Sequence, residues 1–120
     1  MAEPRIITYK GKIIYIADHK GSQKEEVVHN QERLLEMIKD SGSNNVLNIT
    51  DMTDVFATSE VHQAMKRIGN EILKYSKKSA VVGMETSIKN FLISVFIQTC
   101  DKPMKSFNNL KDAKEWLVED

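Results

Sequence analysis

Short β-forming runs alternate with stretches of helical period along this 120-residue chain, and that alternation restricts its fold more than any other feature. Residues 5–9 and 12–18 are two β-rich runs separated only by Lys10-Gly11, a spacing that reads as a hairpin. In the second run, IIYIA is apolar on both alternating faces, so that strand should be covered on both sides. Beyond Gly21-Ser22 the period changes. Val27, Val28, Leu34, Leu35 and Ile38 share one stripe of a helix over about 23–40, and Gly42 is placed to stop it.

The same alternation continues to the end. NNVLNIT (44–50) reads as a buried strand, and Val61, Ala64, Met65, Ile68 and Ile72 mark a helix over about 59–76. SAVVGM (79–84) is a further apolar strand, followed by a helix over about 87–99 that Pro103 ends. Residues 104–107 suit an edge strand. Asn108 or Asn109 then caps a last helix through Leu110, Ala113, Trp116 and Leu117, with Trp116 and Phe107 expected in the core. The order is β-β-α-β-α-β-α-β-α. It predicts one α/β domain over 1–120: a mostly parallel five-stranded sheet with an antiparallel N-terminal edge hairpin and four helices.

Composition narrows the partners. Seventeen basic and 17 acidic side chains leave no net charge, whereas a nucleic-acid-binding domain carries a cationic excess, so no nucleic acid is expected. The 41% hydrophobic residues include no run of about 18 apolar ones, so no integral membrane segment is expected. Cys100 is the one cysteine, which excludes an intrachain disulfide. The opening MAEPRIITYKGK lacks the cationic start and apolar stretch of a secretory signal, so the expected location is cytoplasmic.

In an open α/β sheet, ligands and partners meet the carboxyl ends of the parallel strands, where helix N-termini converge. Three loops answer that description: Asp18 to Ser22, Asp51 to Thr58, and Met84 to Ser87. They single out Asp51, Asp54, Thr58, Ser59, Thr86 and Ser87 as polar contacts. Each has a purely structural role open to it as well. Asp18 and Asp51 can tie turns through their own backbone, and Thr58, Ser59, Thr86 and Ser87 are helix-capping types.

Catalytic chemistry finds little support. Ser59, His62 and Asp54 are triad residue types, but no GxSxG elbow accompanies them. The Asp and His spacings match no metal-ligand pattern, and the glycines form no phosphate-binding fingerprint. Neither an enzyme nor a metal or cofactor site is therefore expected.

SIKNFLISVFIQTC is the chemical anomaly. On a helix, Ile88, Phe91, Leu92 and Val95 share a face that can bury against the sheet, which leaves Ile93 and Ile97 pointing away and Phe96 on the flank. A helix apolar nearly all round needs cover on both sides. A second copy of the chain, a protein partner, an apolar ligand or another helix of the domain would supply it.

Four ordered pieces, YKGKIIYI, VLNITDMT, KKSAVVGM and MKSFNNLKDAKEWL, resemble the STAS-like or SpoIIAA-like family of small cytoplasmic α/β domains. The likeness spans nearly the whole chain. It implies strands laid side by side in near-sequential order as a βα superhelix, and a non-catalytic regulatory or protein-interaction role. A family link with CRAL-TRIO lipid carriers implies a second role: carriage of a small apolar or anionic ligand, with Thr86 and Ser87 facing its head. Anti-sigma factor antagonists of the family carry a phosphorylatable serine in a DSSGL-type motif. The matching region here is DMTDVFATSEV, which puts Ser59 or Thr58 at that place but follows with Glu60 and no glycine.

Overall fold

The computed structural model describes residues 3–55, 58–83 and 104–119. Strands β1 (Arg5–Tyr9) and β2 (Lys12–Asp18) form the expected hairpin. Its turn places both Lys10 (φ 50°) and Gly11 (φ 80°) in the left-handed region, the geometry whose twist suits a two-residue connection. Helix α1 (Lys24–Asp40) follows, then β3 (Val46–Asp51), α2 (Ser59–Lys74), β4 (Ser76–Val82), β5 (Met104–Phe107) and α3 (Leu110–Val118).

The five strands lie in the order β1-β2-β3-β4-β5. β1 runs antiparallel to β2, and every later pair is parallel. Stepping across a sheet in one direction with crossovers of one hand places successive helices on the same face. Accordingly, α1 and α2 share a face: Leu34 and Ile38 pack with Ile68 and Ile72 over Ala17 and Val46. The C-terminal α3 takes the other face, where Ala113 and Leu117 meet Ile14, Ile16, Leu47, Ile49, Ala80 and Val82. β3 lies between the two layers, and all six of its residues are buried. Each fully buried Ile or Leu of these layers contributes roughly 1.5–3 kcal/mol.

The elements differ from their expected extents in instructive ways. β4 begins at Ser76 rather than at 79: Lys77 and Lys78 interrupt the apolar pattern, yet Ser76 pairs with Val46 and Lys78 with Leu47, and Lys77 is the extra residue where the register shifts. β3 is shifted to 46–51, and α2 ends at Lys74. Cover of β2 on both faces holds for Ile14, Ile16 and Ala17 but fails at its amino end, where Ile13 is 56% exposed. Phe107 and Trp116 are half-buried rather than core. Their rings sit 5.6 Å apart and close the margin of the α3 layer. Three helices are present among the described residues. The helix expected over 87–99, with Thr86, Ser87, Ile93, Phe96 and Ile97, lies outside them. Among the described residues no helix is long and apolar enough to cross a membrane.

Candidate functional site

Register brings the strand ends to one rim. Asp18 pairs with Asp51, Asp51 with Val82, and Val82 with Phe107, so β2 to β5 stop level with one another. The chains leaving them are sewn together by main-chain bonds. The His19 N–H donates to Asp51 O (2.8 Å), Gly21 N–H to Thr53 O (3.2 Å), Met52 N–H to Val82 O (2.8 Å) and Gly83 N–H to Phe107 O (3.1 Å). A rim tied in this way is a firm platform rather than a set of independent loops.

The two strand-ending aspartates serve their own turns. Asp51 is buried, and its Oδ1 accepts from the Thr53 N–H (3.0 Å) and hydroxyl (2.6 Å). Asp18 Oδ1 accepts from the Lys20 N–H (3.0 Å), and its other oxygen faces Arg5 at 3.9 Å. Both are the local side-chain-to-backbone bonds that end strands. Asp54 differs. It is exposed, with φ 58°, a left-handed conformation that Asp tolerates better than most residues. The neighbouring Met52 and Val55 are buried, so the loop is anchored on both sides of it.

Thr58 caps α2: its Oγ1 accepts from the Val61 N–H at 3.2 Å. Ser59 opens the helix exposed. Glu60 reaches Lys24 at 2.9 Å, which joins the starts of α1 and α2, and its hydrogen bond holds the Lys24 ammonium above its ordinary pKa. Of the residues expected at the site, then, Asp51, Asp54, Thr58 and Ser59 fall on one connection at the rim. Asp51 and Thr58 are spent on structure; Asp54 and Ser59 face outward.

Sequence reasoning missed a buried polar chain behind this rim. His19 is fully buried, with Nε2 2.6 Å from Gln31 Oε1, and Gln31 Nε2 donates to Thr50 Oγ1 at 3.1 Å. An Oε1 partner makes Nε2 the protonated nitrogen of a neutral ring. Burial pushes the imidazole pKa down; the Gln31 bond and then the Asp18 and Asp51 carboxylates pull the other way without cancelling it. One signal was legible. Gln31 stands four residues from Val27 and three from Leu34, inside the apolar stripe of α1, where an uncompensated amide would be costly.

No group of three or more His, Cys, Asp or Glu among the described residues is placed to hold a metal ion. At the rim stand the exposed Asp54 carboxylate, the exposed Ser59 and the capped start of α2.

A five-stranded sheet in sequential order, with a leading antiparallel hairpin, α1 and α2 on one face and α3 on the other, is the SpoIIAA-like fold. The chain is similar in structure to an uncharacterized protein of the DUF3478 family with that fold from Shewanella loihica PV-4. The TM-score is 0.65 over 96% of this chain and 92% of that one, at 16% sequence identity. No family model matches the sequence, and no curated protein does.

Proposed function

We propose that this domain is a non-catalytic interaction module that seats a protein partner on the rim formed by the carboxyl ends of its parallel strands. The observation that carries the reading is the β3–α2 connection. It projects Asp54 and Ser59 into solvent, while Asp51, Thr58, Met52 and Val55 hold the connection in place from beneath. Residues braced in the way that 51–55 and Thr58 are braced lose less conformational entropy on association than free ones, which supports recognition. The net charge of zero suits a mixed polar partner surface better than a polyanion.

The test is partner capture with purified full-length protein. Asp54→Asn, which keeps a residue suited to the left-handed backbone there, and Ser59→Arg change exposed side chains and should leave the fold intact, whereas Lys77→Glu alters the far end of the sheet. Loss of a captured partner in both rim variants, with retention in the Lys77 variant, supports the reading. Equal retention in all three overturns it.

A second reading, a phosphorylation switch, draws on one detail. Thr58 commits its oxygen to the helix cap, whereas Ser59 is exposed beside an electropositive helix start that favours phosphate. Ser59 is thus the better acceptor of the two. Incubation with a cognate kinase extract should add one phosphate to the peptide spanning 54–66, and no mass increase would remove this reading.

A further inference from the structure

The sheet face beneath α2 breaks its own apolar pattern. Asn48 and Thr50 of β3 point to that face between Val46 and Met52, and Ser79 of β4 lies directly beside Asn48 in register. All three are buried. Together with Gln31 they line a cavity of about 30 Å³, whose apolar walls include Met65 and Leu73 of α2 and Met104 of β5.

The polar atoms around this space have unequal fates. Asn48 Nδ2 donates to Ser76 Oγ at 2.7 Å, and Thr50 Oγ1 accepts from Gln31 at 3.1 Å, which leaves the threonine O–H to donate elsewhere. Among the described residues Ser79 Oγ finds no hydrogen-bond partner, although the residue is only 6% exposed. A hydroxyl in that position should bind something or be replaced by alanine, since burial without a partner is unfavourable.

Size and charge together select the occupant. A cavity of about 30 Å³ is large enough to admit a water molecule or a small solute, and a buried water needs two to four polar partners. Ser79, Asn48, Thr50 and Gln31 can supply that number. Among the described residues no charged side chain lines the cavity, so an ion entering it would lose its hydration without compensation. We propose that the cavity beneath α2 is a binding site for one small neutral hydrogen-bonding molecule, water being the smallest of that class, held between Ser79 Oγ on β4 and the Asn48 and Thr50 side chains on β3. It bridges two central strands beneath α2 and accounts for three polar residues on a helix-covered sheet face that calls for apolar ones. The site is independent of whatever meets the rim.

An atomic-resolution crystal structure of the full chain, paired with water–protein cross-relaxation measured by NMR, tests this. The expected result is one isolated density peak within hydrogen-bond range of Ser79 Oγ and a slowly exchanging water signal on the nearby amide protons. Ser79→Ala should weaken or abolish both while leaving the amide spectrum of α2 otherwise unchanged. The wild-type measurement stands alone if that variant fails to fold. A dry wild-type cavity with Ser79 Oγ turned onto a backbone carbonyl would overturn the proposal, as would density for a charged species.

Discussion

Gly83 passes so close to Thr53 that a β-carbon on it would stand 2.2 Å from Thr53 Oγ1 and 2.8 Å from Thr53 Cα. That contact presses the end of β4 against the loop leaving β3, and the same Thr53 hydroxyl is bonded to Asp51. Gly83 also has φ 72°, which an L side chain rarely adopts. Gly83→Ala should therefore destabilise the domain by roughly 1–2 kcal/mol from the backbone alone, with the displaced loop adding to it. Urea unfolding measures the loss, and amide shifts at 51–55 should report the displacement. An unchanged midpoint and unchanged shifts would mean that the close approach is not maintained in solution.

Thr58 and Ser59 are adjacent but should respond differently. Thr58→Ala removes the acceptor for the Val61 N–H and should cost about 1 kcal/mol, while Thr58→Ser keeps an oxygen there and recovers most of it. Ser59→Ala, on an exposed position outside the cap, should change stability by less than about 0.5 kcal/mol. Denaturant titration of the three variants distinguishes a cap at 58 from one at 59.

His19 gives stability a pH dependence of defined sign. Its imidazole pKa is lowered in the folded protein by burial, against an ordinary value of about 6.5. The unfolded chain therefore binds the proton more readily. The stabilisation is complete above the unfolded value and declines as pH falls below it, with a limiting slope of about 1.4 kcal/mol per pH unit until the folded pKa is reached. Unfolding free energies between pH 7.5 and 5 should fall in wild type and flatten in His19→Gln. Equal slopes would show that His19 does not carry the effect.

Lys78 secures the far end of α3. Its ammonium donates to Trp116 O (2.8 Å) and Glu119 O (2.9 Å) and lies 5.0 Å from the centre of the Trp116 ring. A cation at a helix C-terminus that also meets an aromatic face contributes about 1 kcal/mol. Lys78→Gln should lower stability by that order and alter Trp116 fluorescence, whereas the exposed neighbour Lys77→Gln should do neither. Matching effects at the two positions would assign the loss to strand propensity instead.

The hairpin acts on its neighbours through a comparable tie. Tyr9 and Lys10 both donate to Glu115, at 2.5 and 2.7 Å, and this pair of bonds holds the glutamate carboxyl below its ordinary range. The turn chosen by Lys10-Gly11 is thereby connected to the helix that closes the opposite face of the sheet.

What the sequence determined by itself was whatever its near neighbours in the chain could enforce. Lys10-Gly11 specifies a left-handed two-residue turn, Val61, Met65, Ile68 and Ile72 repeat at helical spacing, and Thr58 and Asn109 find their cap partners three residues on. These interactions are complete within a few residues, so spacing alone exposes them, and the sequential β/α order constrains the sheet that results. Only the tertiary structure decided which polar residues would be sealed. His19 turns inward to Gln31; Asn48, Thr50 and Ser79 meet beneath α2; Thr53 meets Gly83; and Lys78 finds the end of a helix 38 residues away. The first and last depend on how helices dock on the sheet, and the other two on the register between β3 and β4, where a slip of one residue would send every side chain to the opposite face. Local pattern carries no record of that register, whereas the bonds of Asp51 to Thr53, two residues on, are the turn tie that the sequence already left open to it.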